Sequence, residues 1–295
     1  MTGSTRTIEG AGGLPLAAEV TGDAVAWPVL LAHGAGQTRR AWQRVTHDLV
    51  GAGFQAIAID MRGHGESGWP ANGAYEIEDF ASDLVSIVSR MDCKPALVGA
   101  SLGGLAGIIA EGELARGSFA SLTLVDIAPR MEPSGVMRVV GFMDRHLDSG
   151  FSSPEEAAEV IARYMPHRRT RSAGGNLGHY LREGEDGRFY WHWDPRFIRN
   201  IMGRIRLDPE HHDQQFDRLS RAAASLELPL HLIRGGSSDL VSEEAVLHLR
   251  GLVPHAEYTD IADATHMVVG DSNDAFSTSI LDFLKRHHRK GETKP

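Results

Sequence analysis

The chain has 295 residues, enough for one large α/β domain or for a domain that carries an insertion. Hydrophobic residues make up 42% and charged residues 23%, and a net charge of −9 without a polybasic arm argues against nucleic acid as a partner. The single cysteine, Cys93, excludes an intrachain disulfide, and no apolar run suits a signal peptide or a membrane span. These features predict a cytoplasmic protein that acts away from membranes.

Strand and helix patterns alternate through the first part of the chain. Residues 1–13 are expected to form a loose end. The strand at 28–32 is wholly apolar, as is typical of a parallel sheet buried on both faces. Periodicity predicts further strands at 14–20, 54–59, 96–98 and 122–127, and helices at 38–50, 77–91 and 105–115.

The alternation stops near residue 131 and resumes at residue 228. The intervening stretch indicates a helix starting at Pro154 and holds an aromatic cluster at 189–195. Strands at 229–233 and 257–261 and helices at 243–252 and 273–287 then follow. We predict an α/β fold with a mostly parallel, doubly wound sheet, divided into a first core part at 1–130, a helical insertion at 131–227 and a second core part at 228–295.

A Gly-x-Ser-x-Gly pattern surrounds Ser101, with an apolar strand before it and a run of small residues with helical spacing after it. A serine on such a sharp strand-to-helix turn sits in strained backbone, and Gly99 and Gly103 remove the side chains that would collide there. This context predicts that Ser101 is a nucleophile at a nucleophile elbow.

A serine nucleophile needs a base, and a histidine base needs a carboxylate that orients it. His266 is the best base, because it follows the strand at 257–261 and precedes the last helix. Asp239, after the strand at 229–233, is the preferred acid and gives the order Ser, Asp, His along the chain. Asp126, at the end of the strand next to the elbow, remains the competing acid.

Two backbone N–H groups are expected to stabilise the oxyanion. One belongs to Leu102, directly after the nucleophile, and the other to Ala35, in the small-residue loop after the strand at 28–32. Asp60, Arg62 and His64 are interpreted as structural residues of the Arg-Gly-His-Gly turn.

The motifs now in hand are His33-Gly34, the run from Asp60 to Ser67, the run from Gly99 to Gly104, Asp239 and His266. With them the sequence resembles the α/β-hydrolase superfamily over 28–130 and 228–287. The similar branch is the capped one, which contains esterases, enol-lactonases, carbon–carbon bond hydrolases, cofactor-free haloperoxidases, epoxide hydrolases and haloalkane dehalogenases. The last two activities use an aspartate at the elbow, so Ser101 argues against both.

The resemblance implies that the insertion forms a helical lid over the serine and supplies specificity. Trp191 and Trp193, with Phe189 and Tyr190 beside them, either wall an apolar pocket or attach the lid to the core, and Trp42 carries the same two interpretations. His33, Gly34 and Met267 are further candidates for the substrate pocket.

The predicted function is hydrolysis of a carboxylic ester or lactone through an acyl-enzyme on Ser101. The small-molecule substrate is expected to be partly apolar, and neither a metal nor a cofactor is expected, because no histidine, cysteine or carboxylate spacing suits a metal site. Cleavage of a carbon–carbon bond in a diketone, perhydrolase activity and a non-catalytic ligand receptor on the same fold stay open. A homodimer also stays open.

Overall fold

The structure is a computed structural model, and it describes residues 3–164, 180–207, 211–262 and 274–288. Its strands are β1 (Ser4–Glu9), β2 (Pro15–Thr21), β3 (Pro28–Ala32), β4 (Gln55–Ile59), β5 (Ala96–Ala100), β6 (Ser121–Val125), β7 (Leu181–Glu183), β8 (Phe189–Trp191), β9 (Leu230–Gly235) and β10 (Glu257–Ile261).

The helices in the described residues alternate with these strands outside the stretch between β6 and β9. They are α1 (Gln43–Gly51), α2 (Ile77–Val88), α3 (Leu102–Ile109), α4 (Pro133–Asp144), α5 (Pro154–Tyr164), α6 (Pro195–Leu207), α7 (His211–Ala224), α8 (Glu243–Leu252) and α9 (Asp274–His287). Short 3-10 turns occur at Ala11–Gly13 and Arg39–Trp42, and a π-helical turn at Ala110–Leu114 continues α3.

Eight strands form one sheet in the order β1-β2-β4-β3-β5-β6-β9-β10. Within this sheet, β4 with β3, β3 with β5, β5 with β6, β6 with β9 and β9 with β10 pair in parallel. The pairs β1 with β2 and β2 with β4 are antiparallel. The predicted α/β-hydrolase fold with a mostly parallel sheet is therefore confirmed. Since parallel strands end at the same edge, the loops after β3, β5, β6 and β9 meet at one side of the molecule.

Side chains of the central strands alternate between two hydrophobic clusters, one on each face of the sheet. Val29, Leu31 and Val98 pack on the face covered by α1 and α9, whereas Leu30 and Leu97 point to the other face. The latter cluster continues into the stretch between β6 and β9 through Val140, Met143, Trp191 and Trp193. That stretch is thus packed onto the same core that supports α2 and α3.

The expectation of a loose end at 1–13 is wrong for part of that segment. Ser4–Glu9 pairs along its whole length with β2 at the edge of the sheet. Its side chains are almost all exposed, so the segment lacks the hydrophobic alternation by which a half-buried strand is recognised. Charged and polar side chains on an edge strand also discourage pairing with another chain.

Candidate active site

Ser101 occupies the turn between β5 and α3, with φ of 45° and ψ of −114°. A positive φ is costly for a residue with a side chain and persists only where the surrounding structure enforces it. A Cβ atom at Gly99 would lie 2.5 Å from backbone atoms of Gly103 and Gly104, and one at Gly103 would run into the carbonyl of Ala32. Both glycines are therefore required for the close approach of α3 to β3 and β5. The turn has the geometry that its sequence predicts.

The loop after β3 passes directly beside Ser101. A Cβ on Gly34 would lie 3.2 Å from the Cβ of Ser101, and Ala35 borders both cavities that reach the serine. Leu102 is the first residue of α3, where the helix itself offers no acceptor to a backbone N–H. Within the described residues, neither the N–H of Ala35 nor that of Leu102 has a hydrogen-bond acceptor. Both groups are available to a ligand at Ser101.

Three buried histidines hold the same loop by backbone hydrogen bonds. His64 Nε2 accepts the N–H of Gly36 at 3.1 Å, and His192 Nε2 donates to the carbonyl of Gly36 at 3.2 Å. His33 Nδ1 donates to the carbonyl of Gly34 at 2.8 Å. Each of these rings also accepts a backbone N–H, from Gly36, Gly65 or Met61, so all three are neutral.

Burial is the main cause of the lowered pKa values of these histidines. It lowers the pKa of His33 to about 3 and that of His64 to about 4, and it holds the pKa of His192 well below its usual range. Sequence reasoning did not identify this cluster, because His192 lies far along the chain from the other two. His33 bonds to the backbone and is absent from the linings of both cavities, and its place in the substrate pocket stays a prediction.

The turn after β4 is structural, as its sequence suggests. Asp60 is fully buried and accepts hydrogen bonds from the N–H groups of Arg39 and Glu66 and from the Arg39 guanidinium. Arg62 is also buried and donates two hydrogen bonds of 2.7 Å to the carboxylate of Asp83. These paired charges fix the turn that presents His64 to the loop after β3.

Two apolar cavities reach Ser101 from different sides. The small aromatic pocket has a volume of about 40 Å³, and its walls include Phe142, Met143, Tyr164, Tyr180, Trp191 and Trp193. The large apolar pocket has a volume of about 230 Å³, and its walls include Leu105, Val136, Val140, Phe197, Phe216 and Leu219. Most of these side chains come from the stretch between β6 and β9. The sequence predicts a helical insertion here, but it does not predict which faces of the helices reach Ser101.

The aromatic residues predicted either to wall a pocket or to pack against the core occupy different parts of the structure. Trp191 and Trp193 stack on each other with ring centroids 4.7 Å apart and line the small aromatic pocket. Gly34 lines it as well. Trp42 is fully buried in the cluster beneath α1, with Val45 and Leu49, on the opposite face of the sheet. This position agrees with the second of its two interpretations, a core contact, and Trp42 does not line either cavity that reaches Ser101.

Asp126 and Asp239 follow the neighbouring strands β6 and β9 and differ in their partners. Asp126 is buried, and its carboxylate accepts hydrogen bonds from the N–H of Gly235 at 3.0 Å and from the hydroxyl of Ser238 at 2.9 Å. Asp239 is 28% exposed, and its Oδ2 forms an ion pair with Arg138. Asp239 Oδ1 is buried and has no hydrogen-bond partner in the described part of the chain. The described contacts of Asp126 thus tie it to the loop after β9, whereas Asp239 Oδ1 has no partner among the described residues.

His266 and Met267 lie outside the described residues, so the geometry of the predicted base is not part of this site. Among the residues that are described, no cluster of three or more histidine, cysteine or carboxylate side chains could hold a metal ion. Nor does any described helix combine the length and apolar character required to cross a membrane.

Comparison with known proteins identifies the family. The model of the alpha/beta hydrolase family matches residues 29–278, which is most of the chain. The chain belongs to the alpha/beta hydrolase family. An alpha/beta hydrolase from Novosphingobium aromaticivorans has the same fold, with a TM-score of 0.79, 21% identity and coverage of 97% of this chain and 99% of that one.

Two similar proteins are named as hydrolases. An esterase of Mycobacterium tuberculosis is 28% identical over 251 residues, covering 82% of this chain and 78% of its own. A 3-hydroxybutyrate-oligomer hydrolase of Cupriavidus necator is 27% identical over 248 residues, covering 81% and 82%. Family and relatives together support a hydrolase that acts on a small molecule.

Proposed function

We propose that this alpha/beta hydrolase is a serine hydrolase that cleaves a carboxylic ester or lactone through an acyl-enzyme. The observation that carries the proposal is the position of Ser101: a strained strand-to-helix turn, two adjacent backbone N–H groups with no acceptor among the described residues, and two apolar cavities that open onto it. Strained backbone at the floor of a cavity is a recurrent property of catalytic nucleophiles.

In the proposed reaction, Ser101 Oγ attacks the substrate carbonyl carbon while His266 takes its proton. The N–H groups of Ala35 and Leu102 stabilise the negative oxygen of the tetrahedral intermediate. His266 then gives the proton to the oxygen of the leaving group. That group departs, and the acyl group remains as an ester on Ser101. A water molecule, deprotonated by His266, releases the acid in the second half of the cycle. Asp239 orients the imidazole and stabilises its charged form.

Bracing by the neutral histidines supports the role proposed for Ala35. Both backbone groups of Gly36 and the carbonyl of Gly34 are already bonded to buried rings, so the loop is held in place before substrate arrives. Donors that are fixed in advance need no reorganisation when charge develops, which is why such groups accelerate acyl transfer. The catalytic contribution of the loop would come from its backbone.

We further propose that residues 131–227 act as the lid that gives the hydrolase its substrate preference. Val139 and Phe142 on α4, Ile161 on α5 and Trp191 on β8 all border the small aromatic pocket. Both cavities have almost entirely apolar walls, so the groups on either side of the scissile bond should be apolar. The large apolar pocket has room for a medium-length arm and the small aromatic pocket for a short one.

The test is turnover of a chain-length series of p-nitrophenyl esters by the wild type and by Ser101→Ala. We expect the Ser101→Ala variant to lose about 10⁴-fold or more in kcat with an unchanged unfolding transition. Ser89→Ala, at an exposed serine after α2, is the matched control and should keep wild-type activity. An alkyl phosphonate should label Ser101 in the wild type, as read by mass spectrometry.

Near wild-type turnover in Ser101→Ala would show that the nucleophile lies elsewhere. Cleavage of a diketone with no ester turnover would favour the carbon–carbon hydrolase. A folded protein that neither reacts with the phosphonate nor turns over any ester would favour a ligand receptor.

A further inference from the structure

The first turn of α4 packs directly against the loop that carries Asp239. The N–H of Glu132 donates to the carbonyl of Leu240 at 2.9 Å, which ties the start of the helix to the loop. A Cβ atom at Gly135 would collide with the carbonyl oxygen of Asp239, so only glycine allows this approach. One turn later, on the same side of α4, Arg138 meets Asp239. The contact between these two residues is set by backbone packing.

Arg138 uses only one oxygen of the Asp239 carboxylate. Its guanidinium pairs with Oδ2, while Oδ1 is buried and has no partner within the described residues. A carboxylate with one oxygen held has less rotational freedom, and its other oxygen remains the acceptor for the next hydrogen bond. That is the requirement for a group that orients an imidazole N–H.

We propose that Arg138 is a positioning residue for the catalytic acid: its guanidinium holds Asp239 Oδ2 and leaves Oδ1 for the base, and its charge opposes protonation of that base. The inference rests on the proposed function, because it takes Asp239 and His266 as acid and base. It assigns to the insertion a part in catalysis as well as in substrate choice.

The other charged and titratable groups near Asp239 leave Arg138 as the cation that acts on it. Burial raises the pKa of Tyr164 to about 12, so this phenol on α5 is neutral. Asp126 reaches the loop through Ser238 and carries the opposite charge. Arg234 donates to the carbonyl of Val241 and is itself paired with Asp260. Within the described residues, the cation that pairs with Asp239 is therefore Arg138 on α4.

A positive charge beside the acid–base pair makes an imidazolium less stable, so it lowers the pH at which the base loses its proton. Replacing Arg138 by glutamine keeps a hydrogen-bond donor and removes the charge. We expect the acidic limb of the pH profile of kcat/KM to move up by about half to one pH unit, a moderate value because Arg138 is largely exposed.

Three substitutions separate charge from geometry. Arg138→Lys keeps the charge, so its acidic limb should coincide with that of the wild type. Arg138→Met removes charge and donor together, so it should show the shifted limb and a further loss of about tenfold in kcat. Arg145→Gln removes an equal charge at the end of the same helix, where no carboxylate is paired in the described chain, and should leave the limb unchanged.

The readout is kcat/KM against pH for the full chain with the best p-nitrophenyl ester, and unfolding midpoints should stay within about 3 °C, because exposed ion pairs contribute little to stability. A wild-type limb in Arg138→Gln, or the same shift in Arg145→Gln, would overturn the inference. If Ser101→Ala remains active in this assay, the proposed function itself fails. If Ser101→Ala is dead and Arg138→Gln is unshifted, only the role of Arg138 fails.

Discussion

Asp126 and Asp239 follow adjacent parallel strands, yet they differ in burial and in hydrogen-bond partners. Asp126 is 1% exposed and accepts hydrogen bonds from Gly235 and Ser238, whereas Asp239 is 28% exposed and keeps a buried oxygen without a described partner. A buried polar atom without a partner costs free energy, so the two carboxylates differ in how far the described residues satisfy them. Position at the sheet edge alone would have ranked the two carboxylates equally.

The two carboxylates also act in series. The hydroxyl of Ser238 donates to Asp126, and its oxygen accepts the N–H groups of Leu240 at 3.2 Å and Val241 at 3.1 Å. Those two residues directly follow Asp239. Asp126 therefore holds the loop that carries Asp239, and a change at Asp126 should disturb that loop.

The largest expected effect is at Asp239. Asp239→Asn presents an amide where the imidazole needs an acceptor, so the base is held in the wrong tautomer, and kcat for ester hydrolysis should fall by about 10⁴. Stopped-flow or steady-state turnover at pH 7.5 measures this loss, and the unfolding transition should stay close to that of the wild type. Full activity in this variant, combined with a crippled Asp126→Asn, would reverse the comparison and make Asp126 the acid.

Substitutions at Asp126 should instead lower the free energy of unfolding. Asp126→Ala leaves the N–H of Gly235 and the hydroxyl of Ser238 unpaired and puts alanine at a φ of 50°, so the free energy of unfolding should fall by about 3 kcal/mol. Asp126→Asn, which keeps one acceptor and tolerates this backbone, should lose about 1 kcal/mol and stay within tenfold of wild-type kcat. Urea unfolding beside turnover distinguishes the two. An unchanged urea midpoint in Asp126→Ala would refute the structural role.

The buried histidines extend the comparison to groups that must stay uncharged. Because the folded pKa of His64 is about 4 and its unfolded value about 6.5, the unfolded chain binds the proton first. Stability is therefore complete above pH 6.5 and declines as the pH falls toward 4, by about 2 kcal/mol at pH 5 for this histidine. His64→Gln should flatten the pH dependence of the unfolding free energy by that amount.

The matched variant is His47→Gln, which removes a histidine that is exposed on α1 and so controls for the loss of a histidine as such. Urea titrations at pH 7.5 and pH 5 give the required differences. Equal slopes in His64→Gln and the wild type would mean that His64 titrates alike in the folded and unfolded chain. The experiment also separates loss of activity by acid unfolding from protonation of the catalytic base.

The fold and the Ser101 turn could be predicted because their signals are local. An apolar strand, two glycines and a small-residue helix specify the turn within a dozen residues, and wholly apolar strands indicate a parallel sheet. β1 escaped prediction because an exposed edge strand has no hydrophobic alternation. Trp42 was ambiguous because a large aromatic residue is equally at home in a core and in a pocket wall.

Contacts between distant segments could not be predicted from the sequence. His192 reaches Gly36 across 156 positions, and nothing near either residue announces the pairing. Arg138 is an exposed residue on an amphipathic helix, and its meeting with Asp239 depends on how closely α4 approaches at Gly135. Such contacts are products of tertiary packing, and one sequence holds no record of them.

The contact of Gly103 with Ala32 makes substitutions at Gly103 different in effect from substitutions in the two cavities. Backbone, not side chains, sets the distance between α3 and β3, so substitutions in the two cavities can accumulate without moving Ser101. Phe142 and Leu219 line different cavities, so a change of size at either alters one cavity while the turn at Ser101 keeps its backbone contacts. Gly103 has no such freedom, because even one methyl group there would push the helix off the sheet. New substrate preferences can therefore arise by single steps around an unchanged reactive centre.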